Sequence, residues 1–160
     1  NDALIAEIKV QLPPELQKQR EISSLFVGIA DNVANLNSRG EDYLARNHID
    51  EAAAEFKSAL KINRNDSHAL AGYAETLRQK GNLEEAAKFF ERSLKYNPTN
   101  RFALEHYADL LRVTDKYTEE VRDTFARAVT AIENDDPNAA TKPENRFIWL
   151  GLAEAAHALR

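Results

Sequence analysis

The sequence predicts an all-α fold built from repeated helix pairs, and three observations carry that prediction. Alanine occurs 25 times in 160 residues, whereas glycine and proline number five each. Alanine is the best helix former and those two are the worst. A period of 34 residues runs through the middle of the chain, and a fixed period of this order is the mark of a solenoid of stacked units. An all-β sandwich or barrel would need many more turn residues.

Residues 1–32 precede the repeats. They hold a short amphipathic stretch, Asp2–Leu12, then Pro13-Pro14, then a helix over about Glu15–Ala30 whose Ile22, Leu25, Phe26 and Ile29 follow helical spacing. Terminal units of a solenoid need a cover, so residues 1–32 are expected to be a helical segment that caps the open end or docks. Residues 33–66 and 67–100 are the first two repeats. Glu51-Ala52-Ala53 falls on Glu85-Ala86-Ala87, Phe56 on Phe90, Leu60-Lys61 on Leu94-Lys95 and Asn63 on Asn97. Residues 101–145 form a third repeat with Leu104, Tyr107, Ala108 and Leu111 in register. It needs one extra residue near Thr114–Asp115, and Asn134–Glu144 reads as an extended loop. Asn145-Arg146-Phe147 repeats Asn100-Arg101-Phe102, so residues 146–160 start a fourth unit and supply its first helix.

Each unit reads as two helices and a short turn. Gly40, Ala74, Ala108 and Ala153 are expected where paired helices touch, because a larger side chain there would cost about 1–3 kcal/mol of overpacking. Acidic pairs open each second helix, at Asp50-Glu51, Glu84-Glu85 and Glu119-Glu120, where the helix dipole favours carboxylates. Three copies at one structural position argue against acid/base catalysis.

Period and pattern together resemble the tetratricopeptide repeat family. The second repeat carries the signature best, with Leu70, Tyr73, Ala74, Leu77, Gly81, Ala86, Phe90, Ser93 and Pro98. The first has Leu36, Gly40, Tyr43, Ala52, Phe56 and Ala59 and departs at Arg39, Asn47 and Arg64. The resemblance implies a right-handed α-solenoid whose first helices line a concave groove. It places there His68, Glu75, Arg78, Phe102, Glu105, His106, Asp109, Arg112, Phe147 and Glu154. The same positions put Glu41, Glu75, Asp109 and Glu154 in one ladder of carboxylates, with Ala71, Gly72 and Gly151 also facing the groove. Two readings stay open. The ladder and its arginines grip a ligand, or Glu75–Arg78 and Asp109–Arg112 neutralise each other as i,i+3 pairs. Glu41 has Leu44 where the others have a basic residue, so the negative end of the groove is expected at the first repeat.

The resemblance also implies a protein or peptide as partner. The family's carboxylate clamp for chaperone tails uses lysine, asparagine and arginine where this chain has Asn37, Glu41, Gly72, Phe102 and His106, so the clamp is absent. Phe102 and Phe147 offer aromatic surface, which is enriched at binding hot spots. Trp149 sits at a core position. His68 and His106 could approach each other and make binding sensitive to pH near 6, but no third ligand is fixed by spacing and no metal is expected.

The remaining classes are narrowed by what the sequence lacks. There is no cysteine, hence no disulfide, thiol nucleophile or cysteine-ligated metal. A net charge of −5 disfavours non-specific nucleic-acid binding, which basic residues drive. The longest apolar runs, Leu25–Ala30 and Ile148–Ala153, are far short of a membrane span. No phosphate-binding glycine loop, His-Glu-x-x-His or nucleophile elbow appears, so no enzyme and no cofactor are expected. Methionine is absent, and the chain is expected to be a domain of something longer. The alternatives to a peptide-binding module are a scaffold that self-associates through residues 1–14 or an open C-terminal edge (Trp149, Leu152, Ala156), the targeting domain of a larger enzyme, and a protein laid out like the type III secretion chaperones.

Overall fold

The computed structural model describes residues 13–136, 138–139 and 142–160; the expected segment Asp2–Leu12 lies outside them. Among the described residues there are seven α-helices and no strand. They are α1 (Pro14–Ala45), α2 (Ile49–Ile62), α3 (Ser67–Gln79), α4 (Leu83–Tyr96), α5 (Arg101–Thr114), α6 (Glu119–Asp135) and α7 (Arg146–Ala158), with a 3₁₀ turn at Pro143–Asn145 before the last. No described helix is long and apolar enough to cross a membrane.

The turns inside the pairs repeat the 34-residue period in backbone conformation. Asn47, Gly81 and Asp115 have φ of 62°, 83° and 51°. Gly81 takes this left-handed geometry at no steric cost. Asn and Asp are the other residues that tolerate it, through local hydrogen bonding of a short polar side chain. Asn47 therefore departs from the repeat in identity and keeps it in shape. The extra residue of the third repeat falls after this turn, between Asp115 and the start of α6 at Glu119. Between pairs, Asp66 and Asn100 cap α3 and α5 by accepting from the amides of Ala69 (2.8 Å) and Ala103 (3.1 Å). Asp50-Glu51, Glu84-Glu85 and Glu119-Glu120 all lie in the first turn of a second helix. Lys80 reaches Asp50 at 2.5 Å and Lys116 reaches Glu84 at 2.9 Å, each from the next repeat. These cations hold the two carboxyls below their ordinary range.

Consecutive helices pack pairwise from α1 to α5, α6 packs on α4 and α7, and the first helices also pack on one another, α1 on α3, α3 on α5 and α5 on α7. This makes a right-handed solenoid with a first-helix face. Its core is a line of buried rings from the second helices: Phe56, Phe90 and Phe125 are all fully buried. Phe56 is a wedge between two glycines. A Cβ on Gly40 would come within 2.7 Å of its ring, and one on Gly72 would overlap it. Phe125 seats against Gly151 in the same way, at 2.6 Å. Polar contacts stitch repeat to repeat where the side chains are small: Ser93 Oγ donates to the Ser67 carbonyl (2.7 Å), and Asn100 Nδ2 donates to Ser67 Oγ (2.9 Å).

Two expectations are corrected here. Residues 13–30 do not cap the solenoid. Apart from Asp31, whose side chain is not described, residues 13–32 are exposed, and the helix runs on through the expected boundary at residue 32 into the first repeat. Nothing in Ala30-Asp31-Asn32-Val33 breaks a helix, and extending one is easier than nucleating another. The second correction concerns Ala153, which is exposed; the close approach of α7 falls instead at Gly151 and the fully buried Ala155. Ala153 lines an open cleft with Arg112, Asp115 and Tyr117. Trp149 and Leu152 are half-buried against the core, and Ala156 is likewise half-buried.

Candidate functional site

The ten residues expected in the groove lie on the first helices α3, α5 and α7, and their surroundings divide. Glu75, on α3, is only 2% exposed. It accepts from Arg78 Nε and Nη2 and from Gln79 Nε2, each at 2.7 Å. His106 Nδ1 lies 3.2 Å from its Oε2. Burial alone would raise this carboxyl, but the imidazole, guanidinium and amide around it win and hold its pKa at about 2. Glu75 is thus a buried hub that ties α3 to α5 rather than an open carboxylate.

The other carboxylates of the ladder are also engaged. Glu41 pairs with His68 Nε2 of the next repeat. Asp109 receives Arg112 Nη1 at 2.8 Å. Glu154 on α7 receives Arg112 Nε at 3.2 Å and the Tyr117 hydroxyl at 3.2 Å. Glu41 thus has a side-chain partner from the neighbouring helix, an imidazole that neutralises it only when protonated. His68 and His106 each face a different carboxylate, and no group of three or more histidines and carboxylates suited to a metal occurs among the described residues.

Exposure decides what a partner can touch. His68, Glu105, Asp109 and Arg112 are exposed, while Arg78, Phe102, His106, Phe147 and Glu154 are half-buried. Phe102 lies against His106 with ring centroids 4.2 Å apart, and both Phe102 and Phe147 pack on the core. Arg101 stands 6.0 Å from the Phe147 ring centroid. Ala71, Gly72 and Gly151 are buried and offer no groove surface. The helices approach so closely there that the space is filled by Phe56 and Phe125 from the preceding second helices.

Sequence reasoning missed two participants. Tyr117 lies in the inserted turn, outside the repeat register, and only the fold brings it to Glu154. Asn37 was placed at the face without a role. It is 7% exposed, its Nδ2 donates to Asp66 Oδ1 at 2.8 Å, and its buried Oδ1 has no hydrogen-bond partner. It lines a cleft of about 620 Å³ at the start of the face, together with Phe26, Ile29, Val33, Glu41 and Ile62.

Comparison with known proteins agrees with this architecture. Residues 43–112 match the family described as Tetratricopeptide repeat. No curated protein matches the sequence. The fold is similar to the TPR2B domain of yeast Sti1 in its complex with an Hsp70 peptide, at 15% identity and TM-score 0.62, over 79% of this chain and 97% of that one. It is similar to the first TPR of Spaghetti (RPAP3) bound to the HSP90 peptide SRMEEVD, at 16% identity and TM-score 0.58, over 81% and 94%. It is also similar to the Yersinia enterocolitica type III secretion translocator chaperone SycD, at 15% identity and TM-score 0.61, over 81% and 96%. The 34-residue period, the left-handed turns that keep it, and the helix pairs they join give this chain the fold of tetratricopeptide repeat domains, and its residues 43–112 match that family.

Proposed function

We propose that the chain is a protein-interaction module that binds a peptide or helix of a partner protein on its first-helix face. The observation that supports this most directly is the pre-paired polar track of exposed Asp109 and Arg112 with half-buried Glu154, beside the half-exposed Phe102–His106 stack. A track held in place by its own ion pairs loses little side-chain entropy when a ligand docks. The half-exposed ring gives a partner side chain a fixed surface. The ligand is a segment of mixed or modestly basic charge, because the two carboxylates of the track, Asp109 and the half-buried Glu154, outnumber its one arginine. The role is binding rather than catalysis.

The binding mode differs from that of a chaperone-tail clamp. Phe102 replaces the clamp's lysine, Glu41 would repel a terminal carboxylate, and Gly72 has no room for a donor side chain, since a Cβ there would overlap Phe56. Similarity to domains bound to Hsp70 and HSP90 peptides therefore extends to fold and not to ligand.

Selection from a random 12-residue peptide library on the full chain, followed by titration of the selected peptide, tests this reading. Phe102→Ala and Asp109→Ala are expected to weaken binding about tenfold each; Asp109→Ala leaves thermal unfolding unchanged within a few degrees, whereas Phe102→Ala, which removes a ring packed on the core, also lowers it, so binding is read well below the unfolding midpoint. The SRMEEVD peptide is expected not to bind. Undiminished binding by both variants would remove the groove assignment, and tight binding of SRMEEVD would remove the distinction from the clamp.

A further inference from the structure

Arg64, one of the departures from the repeat, lines a cleft of about 500 Å³ between the second helices α2 and α4. On one side α2 and the turn after it supply Lys57, Leu60, Lys61 and Arg64. On the other side α4 supplies Glu85, Phe89 and Arg92, and Tyr73 of α3 completes the lining. We infer that this cleft is a second binding site, for a short extended segment of a partner protein in which acidic and apolar side chains alternate.

The acidic part of that description follows from charge. Four cations line the cleft against one carboxylate, Glu85, in a chain whose net charge is −5. Other carboxylates of α2 and α4 are engaged elsewhere, Glu55 with Arg39 at 2.6 Å and Glu84 with Lys116 at 2.9 Å. Among the described residues none of Lys57, Lys61, Arg64 and Arg92 forms an ion pair. Two of them are held by other means. Lys57 Nζ stands 5.2 Å from the centroid of the Tyr73 ring, and Arg92 Nη2 donates to the Arg64 carbonyl at 2.7 Å.

The next repeat closes the matching place. One period on, Glu91 stands for Lys57, Tyr107 for Tyr73 and Pro98 for Arg64. Tyr107 is 1% exposed and its hydroxyl donates to Glu91 at 2.6 Å, and α6 packs on α4. Tyr73 is half-buried. The open cationic cleft is therefore a local departure and not a property of the repeat.

The layout of the cations selects an extended chain over a single anion. A lone phosphate is gripped by cations that converge on one point. Here Lys57 and Lys61 stand one turn apart, about 6 Å along α2 at 1.5 Å per residue, and Arg64 follows just past the end of the helix at Ile62. Alternate side chains on one face of an extended peptide are about 6.8 Å apart, so carboxylates at alternate positions match this row. The side chains between them point the other way, towards Phe89 and Tyr73. Those two rings meet edge to face with centroids 4.9 Å apart, and with Leu60 they are half-buried, which leaves apolar surface to pack on. The volume is that of a ligand pocket, so it takes a few side chains of a linear segment and not a folded surface. This inference does not depend on binding at the Phe102–Asp109 track, which lies on a first helix and calls for a ligand of the opposite charge.

Fluorescence anisotropy tests it, with the full chain titrated into a dye-labelled peptide EFEFE blocked at both ends. Saturable binding is expected at low salt, weakening as salt rises. EFEFE is expected to bind at least about fivefold more tightly than EAEAE, QFQFQ or the block peptide EEEFF, a difference of about 1 kcal/mol. Lys61→Glu and Arg64→Glu, both at exposed positions, should each weaken EFEFE about fivefold with circular dichroism unchanged. Lys18→Glu, the same charge reversal on the exposed part of α1, should leave it within about twofold. Amide chemical shifts on adding EFEFE should centre on Leu60, Tyr73 and Phe89. No binding up to about 1 mM overturns the inference, as do shifts centred on Phe102 and Arg112 or indifference to both Lys61→Glu and Arg64→Glu. Equal binding of EEEFF overturns the alternating register, and tighter binding of a short oligothymidine overturns the assignment to an acidic peptide.

Discussion

Helix α1 has two halves that obey different rules, although no break separates them. Gly28 and Gly40 sit twelve residues apart on the same helix. A side chain at Gly28 would meet nothing within 4 Å, whereas one at Gly40 would strike the Phe56 ring at 2.7 Å. The first half carries a good amphipathic stripe exposed to solvent, and the second half carries Val33 and Leu36 into a buried cluster with Phe56. An amphipathic pattern specifies a helix and a face to be covered. Whether this chain covers that face itself depends on another helix being in reach.

Removing the wedge from the packed half is the largest test of this contrast. Phe56→Ala deletes a fully buried ring between two glycines that cannot collapse into the space without bringing two backbones together. It is expected to cost about 3–5 kcal/mol, read as a shift in the urea midpoint. Phe26→Ala, removing the same ring from the exposed half, is expected to change monomer stability by no more than about 0.5 kcal/mol. Equal losses would show that the outer half of α1 is covered within the monomer.

The second test uses acid. Glu75 titrates at about 2 in the folded chain against 4.5 for the free side chain. A depressed carboxyl contributes stability that is fully present above the unfolded value and is lost as pH falls from about 4.5 through about 2. The shift corresponds to roughly 3 kcal/mol at 1.36 kcal/mol per unit. Urea titrations between pH 6 and pH 2 should show this loss in the native chain. Glu75→Gln should be less stable at pH 6 and should lose less on acidification. An identical pH dependence in both proteins would remove Glu75 from its place at the centre of the packed half.

The glycines give a smaller and cleaner comparison. Gly72→Ala is expected to destabilise by about 1–3 kcal/mol, because the new methyl group must displace the Phe56 ring. Gly28→Ala, in open space on a helix, is expected to stabilise by about 0.5–1 kcal/mol through helix propensity alone. Thermal unfolding of the two variants should shift in opposite directions. A shift in the same direction would mean that the two halves are not packed as described.

Much of this molecule was legible in the sequence because a repeat states its own structure several times. The period, the helix pairs, the acidic first turns and the buried phenylalanines all recur at fixed offsets, and each copy supports the reading of the others. The site was less legible. Glu75 and Asp109 occupy the same repeat position, yet one is a buried hub and the other is exposed. His106, placed by the third repeat, and Gln79 together make that difference. Tyr117 joined Glu154 only through an insertion that the period does not predict. Ala153 matched the small-residue position by register, yet it is exposed at a cleft beside Arg112 and Tyr117.

The sequence by itself determined the all-α class and the 34-residue register. Each of these depends on local propensity, or on which residue occupies a repeat position. Tertiary structure alone decided that α1 runs unbroken past residue 32, that the carboxylate ladder is internally paired, that Gly72 and Gly151 seat rings instead of facing a groove, and that Asn37 keeps an unpartnered acceptor in a cleft. The reason is geometric: burial and pairing depend on side chains that approach from neighbouring helices, and their distance in space is not written in the spacing of any one helix.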